Sequence, residues 1–170
     1  MPDPGAVSSD RSAAWAALLR VHAALVPRLD RELRQAVGMP LAWYDVLLEL
    51  HAAPEGRLRM SDLGERVVLS RTRVSRVVDE LVDAGLVLRE ANPRDGRSAL
   101  ATLTKAGARR LRAAAPAYLD GIDRHFTQHL TDGEQKAIAR GLNRVLAGDQ
   151  IAPPSVRSPD SPGQHDPLAG

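Results

Sequence analysis

The stretch from residue 70 to residue 104 constrains the fold most strongly. In SRTRVSRVVDELVDAG, Val74, Val77, Val78 and Leu81 recur at i, i+3, i+4 and i+7, so they form one stripe of an amphipathic helix. Ser70 is a good N-cap for that helix and Gly85 a good C-cap. Two β-leaning stretches follow at once, LVLRE and SALATLT, joined by ANPRDGR. That pattern predicts a hairpin with a long, charged loop.

The rest of the chain reads as helices. A helical face from about Asp10 to Gly38 carries Trp15, Leu18, Leu19, His22, Leu25, Val26, Leu29 and Leu33, with an interruption and kink expected at Pro27. Pro40 suits the first position of a second helix, LAWYDVLLELHAA, ending near Pro54. After the loop PEGRLR comes a short third helix, MSDLGERV, and the turn leading to Ser70. Beyond the hairpin, Thr104 caps a fifth helix expected to run to about Leu130 with an interruption at Pro116. TDGE at 131–134 is a capping box opening a sixth, whose stripe is Ile138, Leu142, Val145 and Leu146. Residues 1–9 and 149–170, rich in Pro, Gly and Ser, are expected to be disordered.

Composition agrees with a helical reading and removes several chemistries. Aromatic residues make up only 3% of the 170, which argues against a stacking surface for single strands. The absence of Cys excludes disulfides, thiolate metal sites and Cys nucleophiles. No P-loop, GxSxG, HExxH or paired catalytic carboxylates occur, so an enzyme is not expected, and neither is a cofactor. His125 and His129, four apart, share a helix face, but a solvated or interface pair explains them better than a metal, and none is expected. The start of the chain lacks the pattern of a signal peptide, and no span approaches the roughly 18 apolar residues of a membrane helix. A cytoplasmic protein with no membrane partner is the expectation.

A net charge of only +2 implies no general affinity for polyanions, so position must decide. On the fourth helix Arg71, Arg73 and Arg76 crowd the start while Asp79, Glu80 and Asp83 lie towards the end. A helix dipole favours the opposite order. Thr72 and Arg76 project away from the apolar stripe, Ser75 and Asp79 also face outward, and Arg71 and Arg73 flank. A helix entering a major groove by its first turns needs arginines there. The hairpin loop then stands where a winged helix carries its wing, with Arg94, Asp95 and Arg97; Asp95 can hold the Arg97 guanidinium for a minor groove. The competing reading is a solvated helix and an incidental ion pair.

These residues resemble the MarR family of bacterial winged helix-turn-helix transcriptional regulators. The match is carried by SDLGERVVLSRTRVSRVVDELVDAGLVLRE, by NPRDGRS with its Asp-x-Arg, by LTKAG at 103–107, and by AWAALLRVHAALVPRLDREL and WYDVLLEL upstream. The resemblance implies a single MarR-like domain over 10–148. Its dimerisation helices would lie at 10–38 and 106–148, flanking a winged helix-turn-helix at 40–105, so the fold is mostly α with a small β-hairpin wing. It implies a homodimer on palindromic double-stranded DNA, acting as a ligand-responsive repressor. Ser70, Arg71, Thr72, Arg73, Ser75 and Arg76 would serve in the recognition helix, and Arg94, Asp95 and Arg97 in the wing. A winged-helix module that binds protein instead of DNA is the alternative. Family members commonly release DNA when a small aromatic or phenolic effector binds beside the dimerisation helices. Trp15, Leu19, His22, Trp43, Tyr44 and Leu47 are the candidates here, with a place in the core as the competing role for Trp15, Leu19 and Leu47. Two departures stand out: Val67, Val68 and Leu69 replace the usual Gly-containing turn, and Pro27 lies within the first helix.

Overall fold

The computed structural model describes residues 6–67, 69–93 and 98–148, without the side chains of 6–11 and Arg71. Six helices and three strands follow in the order α1 (Ala6–Val37), α2 (Leu41–Ala52), β1 (Arg57–Arg59), α3 (Met60–Arg66), α4 (Arg71–Asp83), β2 (Val87–Ala91), β3 (Ala99–Leu103), α5 (Lys105–His125) and α6 (Asp132–Gly148). The expected mostly helical chain with a β-hairpin is therefore present, and the expected tail at 149–170 lies outside the described residues.

Four details differ from the sequence reading. The first helix starts at Ala6, not near Asp10, so 6–9 are helical. Neither Pro27 nor Pro116 ends its helix: α1 and α5 run through them over 32 and 21 residues. Each proline removes a single backbone donor, which a helix of that length survives. The fifth helix stops at His125 instead of Leu130 because Phe126 leaves helical geometry, and a 3-10 turn, Thr127–His129, follows. Finally, RLR in the expected loop 54–59 is a third strand: Arg57, Leu58 and Arg59 pair antiparallel with Thr102, Ala101 and Leu100, giving the sheet order β1-β3-β2.

Capping follows the sequence closely. Ser70 Oγ accepts from the Arg73 N–H, and Thr131 and Glu134 form the reciprocal capping box, with Thr131 N donating to Glu134 Oε2 at 2.8 Å. After α4, Gly85 takes φ +70°, so that Leu86 N reaches Leu81 O and Gly85 N reaches Val82 O, both at 2.9 Å. This is the paired closure of a helix end that a left-handed residue permits. Pro40 has no side chain to cap α2, and Asp30 does it from α1: its Oδ1 accepts the Leu41 N–H at 2.8 Å.

The core is one cluster in which the α4 stripe Val74, Val77, Val78 and Leu81 meets Leu47 and Leu50 of α2, Leu63 of α3 and Leu103 of β3. It extends along α5 through Ala108, Leu111 and Ala115 and reaches α1 at Leu33. The join between the sheet and α5 is tight. Thr104 N donates to the Leu86 carbonyl at 3.1 Å, and Thr104 Oγ1 lies within hydrogen-bond distance of both the Gly85 and Leu86 carbonyls while accepting from Gly107 N at 2.9 Å. A Cβ on Gly107 would overlap the Leu86 carbonyl oxygen and approach Leu103 Cδ1 to 2.8 Å. Gly107→Ala should therefore cost about 3 kcal/mol. A thermal melt should drop by about 8 °C, on the usual 2–4 °C per kcal/mol for a chain of this size.

Candidate nucleic-acid interface

The helix α4 buries its valine stripe, so its opposite face must be exposed. Thr72, Arg73 and Arg76 are exposed there, and Ser75 is half-buried. Ser70 Oγ accepts from one amide of the first turn, that of Arg73, and the positive end of the helix dipole there favours an anion. Among the described residues no carboxylate lies within ion-pair distance of Arg76. The acids further along the same helix are engaged with the scaffold. Asp79 Oδ1 accepts from Arg89 Nη1 of β2 at 2.6 Å, and Glu80 Oε2 accepts from Trp43 Nε1 of α2 at 2.8 Å. The reversed charge order thus divides: its acidic half braces the helix against the sheet and α2, and its basic half has no structural use of that kind.

The turn before α4 solves the missing glycine simply. Val67 and Ser70 are extended, Leu69 N donates to Val67 O at 2.8 Å, and none of the described turn residues takes a positive φ. Strands β2 and β3 carry the chain out and back to Asn92 and Ser98, whose side chains bond at 2.8 Å with Asn92 buried. Arg94, Asp95 and Arg97 lie outside the described residues, as does the Arg71 side chain.

A cavity of about 620 Å³ opens beside this face, between α1, α2, α5 and the start of α4. Of the expected effector residues it includes His22 and Tyr44; Trp15, Leu19, Trp43 and Leu47 do not line it. Leu47 is fully buried in the core, Trp43 is turned to Glu80, and Trp15 and Leu19 are 61% and 48% exposed, so neither is core in the protomer. Sequence reasoning missed Asp45 and Tyr118, which do line the cavity. Asp45 shares a helix face with Glu49 four residues on, a pattern visible in the sequence; the stacking of Tyr118 on Tyr44, centroids 4.5 Å apart, was not. Among the described residues no group of three His, Asp or Glu side chains is arranged to hold a metal. His125 instead pairs with Glu32 of α1 at 2.7 Å, and His129 is exposed.

Against known proteins, the model of the MarR family matches residues 37–98. Sco3205, a MarR family transcriptional regulator from Streptomyces coelicolor crystallised in complex with DNA, is 32% identical. It superimposes with a TM-score of 0.74, covering 89% of this chain and 96% of Sco3205. The chain belongs to the MarR family. Sco5413, another MarR family regulator from Streptomyces coelicolor, is 33% identical with a TM-score of 0.67, covering 84% of this chain and 99% of its own. The HTH-type transcriptional repressor Rv2887 of Mycobacterium tuberculosis is 31% identical over 128 residues, 75% of this chain and 89% of the relative. This MarR protein is thus a transcriptional regulator with the winged-helix fold. No helix among the described residues is long and apolar enough to cross a membrane.

Charge within the cavity is shifted by its surroundings. Burial, reinforced by Glu49 and Asp30, pushes the Asp45 carboxyl up to about 7. For Asp30, burial pushes upward, but the Arg34 and Leu41 bonds and the nearby charge of Arg73 outweigh it and hold the carboxyl below its usual range. A raised folded-state value for Asp45 means that the neutral form favours the fold. Its contribution is complete below the unfolded value of 3.8 and is lost as pH rises through about 7. Asp45→Asn should therefore gain melting temperature relative to the parent at pH 8 and show little difference at pH 4, measured by calorimetry at matched protein concentration.

Proposed function

We propose that this MarR-family regulator represses transcription by binding a palindromic operator as a homodimer, and that a small aromatic effector in the cavity beside α4 relieves it. The observation that carries the reading is the basic, exposed start of α4, with Arg76 on the face opposite the core, Arg73 exposed on its flank, and Asp79 and Glu80 drawn away to Arg89 and Trp43. Ser70, Arg71, Thr72, Arg73, Ser75 and Arg76 contact one half-site in the major groove, and Arg94, Asp95 and Arg97 reach the flanking minor groove. The DNA complex of Sco3205, at 32% identity, supports the assignment. A protein-binding lobe would have no use for three arginines at a helix start.

Two faces support the dimer. Helix α6 buries no residue within the protomer, yet Ile138, Leu142 and Val145 make an exposed apolar stripe, with Val145 60% exposed. Trp15, Leu18 and Leu19 of α1 do the same. A second copy covering both by a two-fold axis accounts for them and matches a palindrome. The cavity lies in the volume range of small-molecule sites, and Arg73 links it to the recognition helix.

Arginine substitutions should separate by role. Arg76→Ala should cost about 1–3 kcal/mol on the best operator and relax preference at one position per half-site. Arg71→Ala and Arg73→Ala should weaken all sequences alike and lower the salt slope by about one unit per contact. Arg97→Ala should lose preference for A·T-rich flanks. If all four leave duplex affinity unchanged at physiological salt, in titrations against a selected operator, DNA binding by this face fails.

The interface has its own check. The double variant Leu142→Asp, Val145→Asp should sediment as a monomer and bind the operator far more weakly. A dimer that persists in the ultracentrifuge would refute the assigned interface.

A further inference from the structure

We propose that the cavity between α1, α2 and α5 selects a small organic cation with an apolar body, in preference to a phenol or a carboxylic acid. The proposal rests on the reading of this cavity as the effector site and adds the charge of its ligand. Three carboxylates line it: Asp45 and Glu49 from successive turns of α2, and Asp30 from α1 across the opening. Glu49 is only 3% exposed, so it lies deep in the wall. The two arginines that line the cavity come from its rim, half-buried Arg66 of α3 and exposed Arg73 of α4. Asp30 is already paired with Arg34, but burial and the charges of Glu49 and Asp30 disfavour a negative charge at Asp45, so an anion beside it would add to that penalty whereas a cation relieves it. The apolar part of the wall suits the body of such a ligand. Tyr118, half-buried and tilted at 46° against the buried ring of Tyr44 with centroids 4.5 Å apart, offers ring surface to a cation, and Leu48, Leu119 and Ile122 complete it.

Binding is coupled to protons. The titratable and charged groups that line the cavity with Asp45 are Asp30 and His22 of α1, Tyr44 and Glu49 of α2, Tyr118 of α5, Arg66 of α3 and Arg73 of α4. With its carboxyl held at about 7, Asp45 is substantially protonated at neutral pH, and a bound cation favours the ionised form. Binding therefore releases a proton and tightens between pH 6 and pH 8.

Three probes of one shape and different charge test this on the full-length protein by isothermal titration: 1-naphthylmethylamine, 1-naphthylmethanol and 1-naphthylacetate. At pH 8 the amine should bind at least about tenfold more tightly than the acetate, with the alcohol between. Asp45→Asn should remove most of that preference and flatten its pH dependence while still binding the alcohol, which controls for folding. Acetate binding equal to or tighter than amine binding overturns the proposal, as does a preference untouched by Asp45→Asn or an absence of binding by every probe. Leu48→Trp, which fills the cavity, separates the two readings. If it abolishes binding while the acetate is preferred, only the ligand's charge is wrong; if all probes bind it unchanged, the cavity is not the effector site.

Discussion

The geometry of the interface depends on one joint, where the end of α4, the sheet and the start of α5 meet at the Leu86 carbonyl. Thr104 donates to that oxygen through its backbone N–H, its hydroxyl lies within hydrogen-bond distance of both the Gly85 and Leu86 carbonyls, and Gly107 leaves room by lacking a side chain. The same hydroxyl oxygen caps α5 by accepting from Gly107 N. A handful of atoms thus fixes the direction of α4 relative to the helix whose far end faces the expected dimer partner. In the proposed dimer the spacing between two recognition helices is a property of the dimer axis, and it would pass to α4 through this contact and the buried face of α5.

A second constraint is the division of labour along α4. A recognition helix must expose cations where its own dipole disfavours them, a local cost of about 0.3–1 kcal/mol per charge at low salt. The scaffold offsets it with packing, since Val74, Val77, Val78 and Leu81 are all at most 4% exposed. The acids of the same helix add anchoring through Arg89 and Trp43, although exposed pairs of this kind contribute little individually. The helix therefore holds its place chiefly through its apolar face, which leaves Arg76 without an ion-pair partner among the described residues.

How much of this was legible in the sequence follows from how local each signal is. The α4 stripe, the Ser70 and Thr104 caps, the Gly85 closure and the Thr131–Glu134 box are encoded within a few residues, and the structure has all of them. Strand β1 was missed because its three residues have no period to display; their partners on β3 lie more than forty positions along the chain. Asp30 was unreadable as the cap of α2 for the same reason: its oxygen reaches Leu41 only because α1 folds back at Gly38. The cavity was half legible. Helical spacing marks His22 and Tyr44 as neighbours of such a site, but which side of α2 faces inward depends on tertiary packing, and so Leu47 went to the core while Asp45 took the cavity.

Asp30 also bears on how the cavity could speak to DNA. One of its oxygens holds the first amide of α2 and the other Arg34, while the charge of Arg73 on the recognition helix lies close enough to help keep the carboxyl ionised. Arg73 therefore stands between an α1 carboxylate and whatever anion meets the start of α4. A ligand with no differential interaction with the two arrangements of that guanidinium would shift nothing, however tightly it bound. On the proposed reading a charged ligand beside Asp30 would alter the potential felt by Arg73, and any coupling to DNA that results is reciprocal, DNA changing the ligand's affinity by the same factor. On that reading the sign of the ligand's charge, more than its shape, would decide whether the cavity strengthens or weakens a contact of Arg73 with a phosphate.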